Sequence, residues 1–142
     1  MIDKELEDVR KFHKKFGLLE FKKPGRLTYR KLYERCECIS EELYELYVAH
    51  KTRDLAAQAD ALVDLVYFAK GTALMLGLPW VELWNDVQRA NMEKVRGVGH
   101  RGHAVDCVKP PGWRGPQTEK ILRKHGYNKN KVEVLRDDEN FL

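Results

Sequence analysis

The chain has no apolar run approaching the roughly 18–20 residues that a bilayer-spanning helix needs. Its first residues, Met1-Ile2-Asp3-Lys4-Glu5, are charged where a secretory signal carries an apolar core. Cysteine is sparse, with three residues at positions 36, 38 and 107. An odd, scattered set does not read as a disulfide framework and suits a reducing compartment. The expectation is a cytoplasmic protein with no membrane partner. There is no internal repeat. No Glu-x-x-His pair occurs, which argues against a di-iron helix bundle: His13, His50 and His125 all lack the glutamate. A zinc set of Cys36, Cys38, His100, His103 and Cys107 is disfavoured, because Cys36 and Cys38 would point about 200° apart on a helix.

What is present is enough for one soluble domain. Of 142 residues, 43% are hydrophobic and 34% charged, which allows both a core and a solvated surface. The net charge is +4 but unevenly spread: residues 1–31 carry +5, residues 32–95 carry −5, residues 96–131 carry +7, and the last eleven carry −3. An acidic middle between basic flanks suits a site for cations that in turn hold a polyphosphate. It equally suits a solvated surface.

Apolar spacing predicts helices almost throughout. The first runs from about Lys4 to Phe16, capped by Asp3 and ended by Gly17, with Leu6, Val9, Phe12 and Phe16 as its stripe. A Lys-rich loop broken at Pro24-Gly25 follows. The second helix spans about Thr28 to His50, with Leu32, Cys36, Ile39, Leu43 and Leu46 as its apolar stripe. The third, about Leu55 to Leu76, is capped by Asp54 and stopped by Gly77. It is apolar nearly all round and so must be buried on most faces. A chain this short has little to cover it, so a homo-oligomer is expected, either a dimer or a dimer-of-dimers tetramer. A fourth helix starts at Pro79 and runs to about Val95, with Val81, Trp84, Val87 and Met92 as core. Residues 97–115 form a loop or short hairpin. A short helix from Gln117 to His125 is closed by Gly126. The expected architecture is an all-α, four-helix-bundle-like domain over residues 1–127. The tail, 128–142, either adds a short strand at Val132–Leu135 or stays disordered.

The acidic residues carry the chemistry. Five glutamates and one arginine lie between Glu34 and Glu45. On a helical wheel Glu41, Glu42 and Glu45 share a sector of about 100°, opposite Leu43. A solvated face is the plain reading of one such cluster. The third helix adds to it: from Leu55 to Leu76 the formally charged residues are Asp60, Asp64 and Lys70 alone. Aspartate is a poor residue for a helix interior, and an unpaired buried carboxylate costs several kcal/mol. Asp60 and Asp64 must share a proton, meet cations such as Arg53 or Arg89, or bind a metal. An all-oxygen set from two helices favours Mg²⁺ or Mn²⁺ over zinc.

Glu41-Glu42-Leu-Tyr-Glu45, Asp60-Ala-Leu-Val-Asp64 and Asn91-Met-Glu-Lys94 together resemble the MazG-like and phosphoribosyl-ATP pyrophosphatase-like superfamily. Val9-Arg-Lys-Phe12-His13, Gly71-Thr-Ala and Lys109-Pro-Pro-Gly-Trp113 are similar to segments of its phage and bacterial members. The family pattern E-x-x-E, spacer, E-x-x-D is met by Glu42, Glu45 and Asp64, but Ala61 stands where the second glutamate belongs. The resemblance implies an all-α hydrolase that cuts a nucleoside triphosphate between its α and β phosphates. Glu42, Glu45 and Asp64 would be metal ligands for two or more Mg²⁺ or Mn²⁺ ions. Glu41 would bind a further ion or orient the attacking water, and Asp60 would replace the missing glutamate. Asn91, Lys94, Lys109, Trp113 and Arg114 would contact the substrate, possible purine deoxynucleotides such as dGTP or dATP being the guess that suits phage relatives. A structural role for Trp113, anchoring its loop, is an open alternative, and a solvated loop is the plain reading of Lys22–Arg26. A nucleoside diphosphate or phosphoribosyl-ATP is the alternative substrate on the same fold. The rival from another class is a basic helical module that binds nucleic acid. It predicts salt-dependent binding and has no use for the acidic cluster.

Overall fold

The computed structural model describes residues 2–102 and 105–135. They form five helices and four strands of two or three residues, so the fold is all-α. Two compact units are distinguished: residues 1–78 with the segment from Gly126 onward, and Pro79–His125.

In the first unit, α1 covers Lys4–Phe16. Asp3 caps it by accepting from the Leu6 N–H at 2.9 Å, and Gly17 ends it with φ 65°. A β-carbon disfavours that left-handed conformation, which is why glycine stops the helix. Leu6 and Val9 are buried as the spacing predicts, but the third buried residue is His13. Phe12 and Phe16 sit higher on the surface, 41% and 56% exposed, with Phe12 edge-on to Tyr67.

Helix α2, Tyr29–Lys51, and helix α3, Leu55–Met75, form the hairpin that dominates this unit. Thr28 and Asp54 cap them through their side-chain oxygens. Between them the chain turns in three residues, with Arg53 at φ 57° and the Asp54 N–H bonded to the Ala49 carbonyl. The expected apolar stripe of α2 is not its inner face. Leu32, Cys36 and Leu43 are exposed, and only Ile39 and Leu46 are half-buried. The face turned to α3 carries Arg35, Glu42 and Ala49, spaced seven apart, or about two turns. The inner face of α2 is therefore mixed, Arg35 and Glu42 lying among Ile39, Leu46 and Ala49, while Leu32, Cys36 and Leu43 are left open.

Helix α3 is buried at Ala61, Gly71, Ala73, Leu74 and Met75 but open at Leu55, Leu62, Val63 and Val66, which are 47–76% exposed. Lys70, deep against α1, is held by both Asp3 oxygens and by Glu5 at 2.8 Å. Burial works against its charge, but those carboxylates outweigh it and raise its pKa. A cavity of about 360 Å³ lies between α1 and α3, lined by Val9, Leu62, Val63, Val66, Tyr67 and Lys70 among others. It contains none of the α2 glutamates. Strand β1, Arg26–Leu27, pairs in parallel with β4, Val134–Leu135. The Lys23–Glu133 ion pair and the Arg26 N–H bond to the Glu133 carbonyl support that pairing. The tail therefore supplies a strand up to Leu135; its remainder lies outside the described residues.

The second unit holds α4, Trp80–Met92; the antiparallel hairpin of β2, Val95–Gly97, with β3, Asp106–Val108; and α5, Thr118–Lys124. Helix α4 ends three residues earlier than its periodicity predicts, because Val95 enters the hairpin. Its expected core is largely open: Trp84 is 60%, Val87 40% and Met92 73% exposed, while Ala90 is fully buried. Among the described residues no single helix is long and apolar enough to cross a membrane.

Candidate active site

The charges of the α2 and α3 carboxylates act together on Glu42. This side chain is half-buried, and its Oε2 atom is sealed from solvent with no hydrogen-bond partner. Burial pushes its carboxyl above the usual carboxylate range, and the charges of Glu45, Asp64, Asp60 and Glu41 push it further, in that order. Two of those four lie on the other helix. Glu42 thus feels the charge of the other four predicted acidic residues, from both helices of the hairpin. Asp64 is half-buried, whereas Glu41, Glu45 and Asp60 are exposed.

Salt bridging does not account for the pair on α3. Arg89 is taken up by Asp86 and Glu93 at 3.0 Å. No ion pair or hydrogen bond reaches Asp60 or Asp64 among the described residues. Ala61, at the position of the missing glutamate, is 2% exposed, and the Asp60 charge acts on Glu42 less than that of Asp64.

A divalent cation fits this donor set. Its atoms are all hard oxygens, and the orphaned Glu42 Oε2 lacks only a positive partner. Among the described residues no three His, Cys, Asp or Glu side chains are already drawn into a metal-holding group. Like charges repel at close range, and three of these five sit on exposed side chains that can rotate. The zinc reading gains nothing: Cys36 and Cys107 are exposed free thiols, and His103 lies outside the described residues.

The predicted substrate residues lie in the second unit. The Asn91 side-chain carbonyl accepts from the Lys94 ammonium at 2.9 Å. Trp113 is half-buried, and its indole N–H donates to the Ala90 carbonyl at 2.7 Å, so it anchors its loop. Two ammonium groups stand over its ring, Lys109 at 4.9 Å and Lys94 at 5.6 Å from the centroid. The basic pair at this indole is therefore Lys94 with Lys109, while Arg114 is exposed.

Two polar side chains that meet at Gly71 were not singled out by the sequence. Arg35 reaches across the hairpin, donating from Nε to the Thr72 hydroxyl and from Nη2 to the Phe68 carbonyl, both at 3.0 Å. His13 is 2% exposed, and its Nδ1 has no hydrogen-bond partner. A β-carbon at Gly71 would stand 2.8 Å from both Arg35 Nη2 and His13 Nε2. The signals were a lone arginine within a glutamate run and a glycine within an apolar helix.

Burial, then the neighbouring Arg35 charge, holds the His13 pKa below its ordinary 6.5. As pH falls through 6.5 the unfolded chain takes up a proton that the native chain resists. Stability is therefore full above pH 6.5. It falls by up to about 1.4 kcal/mol per pH unit below that, until native His13 protonates. Urea midpoints at pH 7.5 and 5.5 should converge when His13 is replaced by Gln. An unchanged difference would show that another group sets the slope.

A helical hairpin gathering carboxylates from both arms is the core of an all-α class of pyrophosphohydrolases. The phosphoribosyl-ATP pyrophosphohydrolase family matches residues 9–91, well over half of the chain. The chain belongs to that family, within the MazG-like all-α superfamily, and is a pyrophosphohydrolase for nucleotide-like substrates. The match takes in all five carboxylates, Arg35 and Asn91, and stops before Lys94, Lys109, Trp113 and Arg114. No curated protein matches the chain.

Proposed function

We propose that the protein hydrolyses a nucleoside triphosphate between the α and β phosphates, releasing the monophosphate and pyrophosphate, with Mg²⁺ or Mn²⁺. The observation that carries this reading is the combined charge of Glu41, Glu45, Asp60 and Asp64 acting on the orphaned Glu42 carboxylate. Glu42, Glu45 and Asp64 are the metal ligands, and Asp60 stands in for the glutamate that Ala61 replaces. Glu41 holds a further ion or orients the attacking water. A divalent cation bound there supplies charge neutralisation on the phosphate oxygens and a more acidic water. Asn91, Lys94, Lys109 and Arg114 are assigned to substrate contacts. Because its indole N–H and ring are already engaged, Trp113 serves better as the scaffold for two phosphate-seeking lysines than as a stacking platform.

The active form is a homo-oligomer in the cytoplasm, supported by the open apolar faces of α2 and α3 and by three free thiols. Purine deoxynucleotides such as dGTP or dATP are the substrates to test first. A panel of canonical nucleoside triphosphates, their diphosphates and phosphoribosyl-ATP, each compared by kcat/KM, tests the substrate class. A triphosphate should lead by at least tenfold. A lead by phosphoribosyl-ATP or a diphosphate would keep the fold and site and overturn the substrate.

A further inference from the structure

The carboxylates of α2 and α3 repel one another across the hairpin at Glu42, so something must hold the two helices together there. One end of the α2–α3 hairpin is closed by the three-residue turn at Thr52–Asp54. At the other end, two turns of α2 before Glu42, stands Arg35. Its bonds to the Thr72 hydroxyl and the Phe68 carbonyl are the only side-chain hydrogen bonds joining the two helices among the described residues. The guanidinium also lies 5.1 Å from the centroid of the Phe68 ring. No carboxylate pairs with it among the described residues. Its charge is met by a carbonyl dipole, a hydroxyl and an aromatic face instead. A planar, forked cation suits that set, and a lysine ammonium does not reproduce it. Gly71 leaves the space for this approach, since a β-carbon there would collide with Arg35 Nη2.

We propose that Arg35 is a positioning residue: it pins α2 to α3 and so keeps Glu42 and Glu45 beside Asp64, within reach of one cation. The inference rests on the metal-site reading above. Residues that orient metal ligands commonly alter affinity by about 10- to 100-fold when removed. Mn²⁺ binding to the full chain, followed by electron paramagnetic resonance, reads this without turnover. Arg35→Gln should weaken Mn²⁺ binding at least tenfold. Thr72→Val, which removes one of the two acceptors, should weaken it less, and Arg35→Lys should recover only part of the loss. Turnover of Arg35→Gln should rise again as Mn²⁺ is raised. Should Arg35→Gln fail to fold, Thr72→Val and Arg35→Lys carry the test.

Wild-type binding that is lost in Glu45→Gln but stays within twofold in the Arg35 and Thr72 variants would overturn the positioning role alone. A wild-type protein that binds no Mn²⁺ would overturn the metal site itself, and this role with it.

Discussion

Asp64→Asn is expected to lower turnover by about 100- to 1,000-fold, the range seen when one preorganised electrostatic contact is lost from a hydrolytic site, and to raise the melting temperature at the same time. The two effects have one cause. Asp64 sits half-buried in an apolar helix, without an ion pair or hydrogen bond among the described residues, and its charge pushes the Glu42 carboxyl upward. A carboxylate so placed destabilises the fold and earns retention through function. Because the Glu42 pKa is raised above its ordinary 4.5, the native chain holds that proton more tightly than the unfolded chain. The stability this gives is present below pH 4.5 and is lost as pH rises through the native value, where the repulsion becomes full. The gain in melting temperature for Asp64→Asn should therefore be larger at pH 7 than at pH 4. Calorimetry at both values, beside a turnover assay, checks the pair. Full turnover in Asp64→Asn would remove the residue from the site.

The double substitution Leu62→Glu with Val66→Glu is expected to dissociate the proposed homo-oligomer into monomers, weakening self-association by at least 100-fold. Both side chains are about half exposed in the single chain, 51% and 47%, on an α3 face shared with Val63. Burying a Val or Leu side chain gains roughly 1.5–3 kcal/mol, and placing a carboxylate there instead costs several kcal/mol. Two such changes on one interface exceed the 2.7 kcal/mol or so that a 100-fold change represents. Helix caps and the Asp64 site are untouched, so the helical content should stay. Sedimentation equilibrium reads the result. Unchanged association would place the contact elsewhere, and a wild type that is itself monomeric would remove the expectation of an oligomer.

Most helices were legible because their ends are chemically marked. Asp3 and Asp54 cap as read, Thr28 caps the second helix it was expected to open, and Gly17, Gly77 and Gly126 all take positive φ at helix ends. The inner faces were harder to read. On α2 only Ile39 and Leu46 of the expected stripe are half-buried, beside Arg35 and Glu42, while Leu32, Cys36 and Leu43 are exposed. Periodicity finds a face but not its partner, and an apolar face left open by the chain reads like core. The same ambiguity affects Trp84, Val87 and Met92 on α4. The acidic residues were legible because charge is conspicuous in α3. Arg35 and His13 were not, because their meaning depends on a helix that crosses them at Gly71, and spacing along the chain does not carry that information.

These carboxylates are proposed to serve hydrolysis between the α and β phosphates. The most direct test is ³¹P nuclear magnetic resonance of the products formed from a nucleoside triphosphate with Mg²⁺, for wild type and Glu45→Gln. Monophosphate and pyrophosphate are expected in equal amounts from wild type, and almost none from Glu45→Gln. Nucleoside diphosphate with orthophosphate, or equal product from both proteins, would contradict that role.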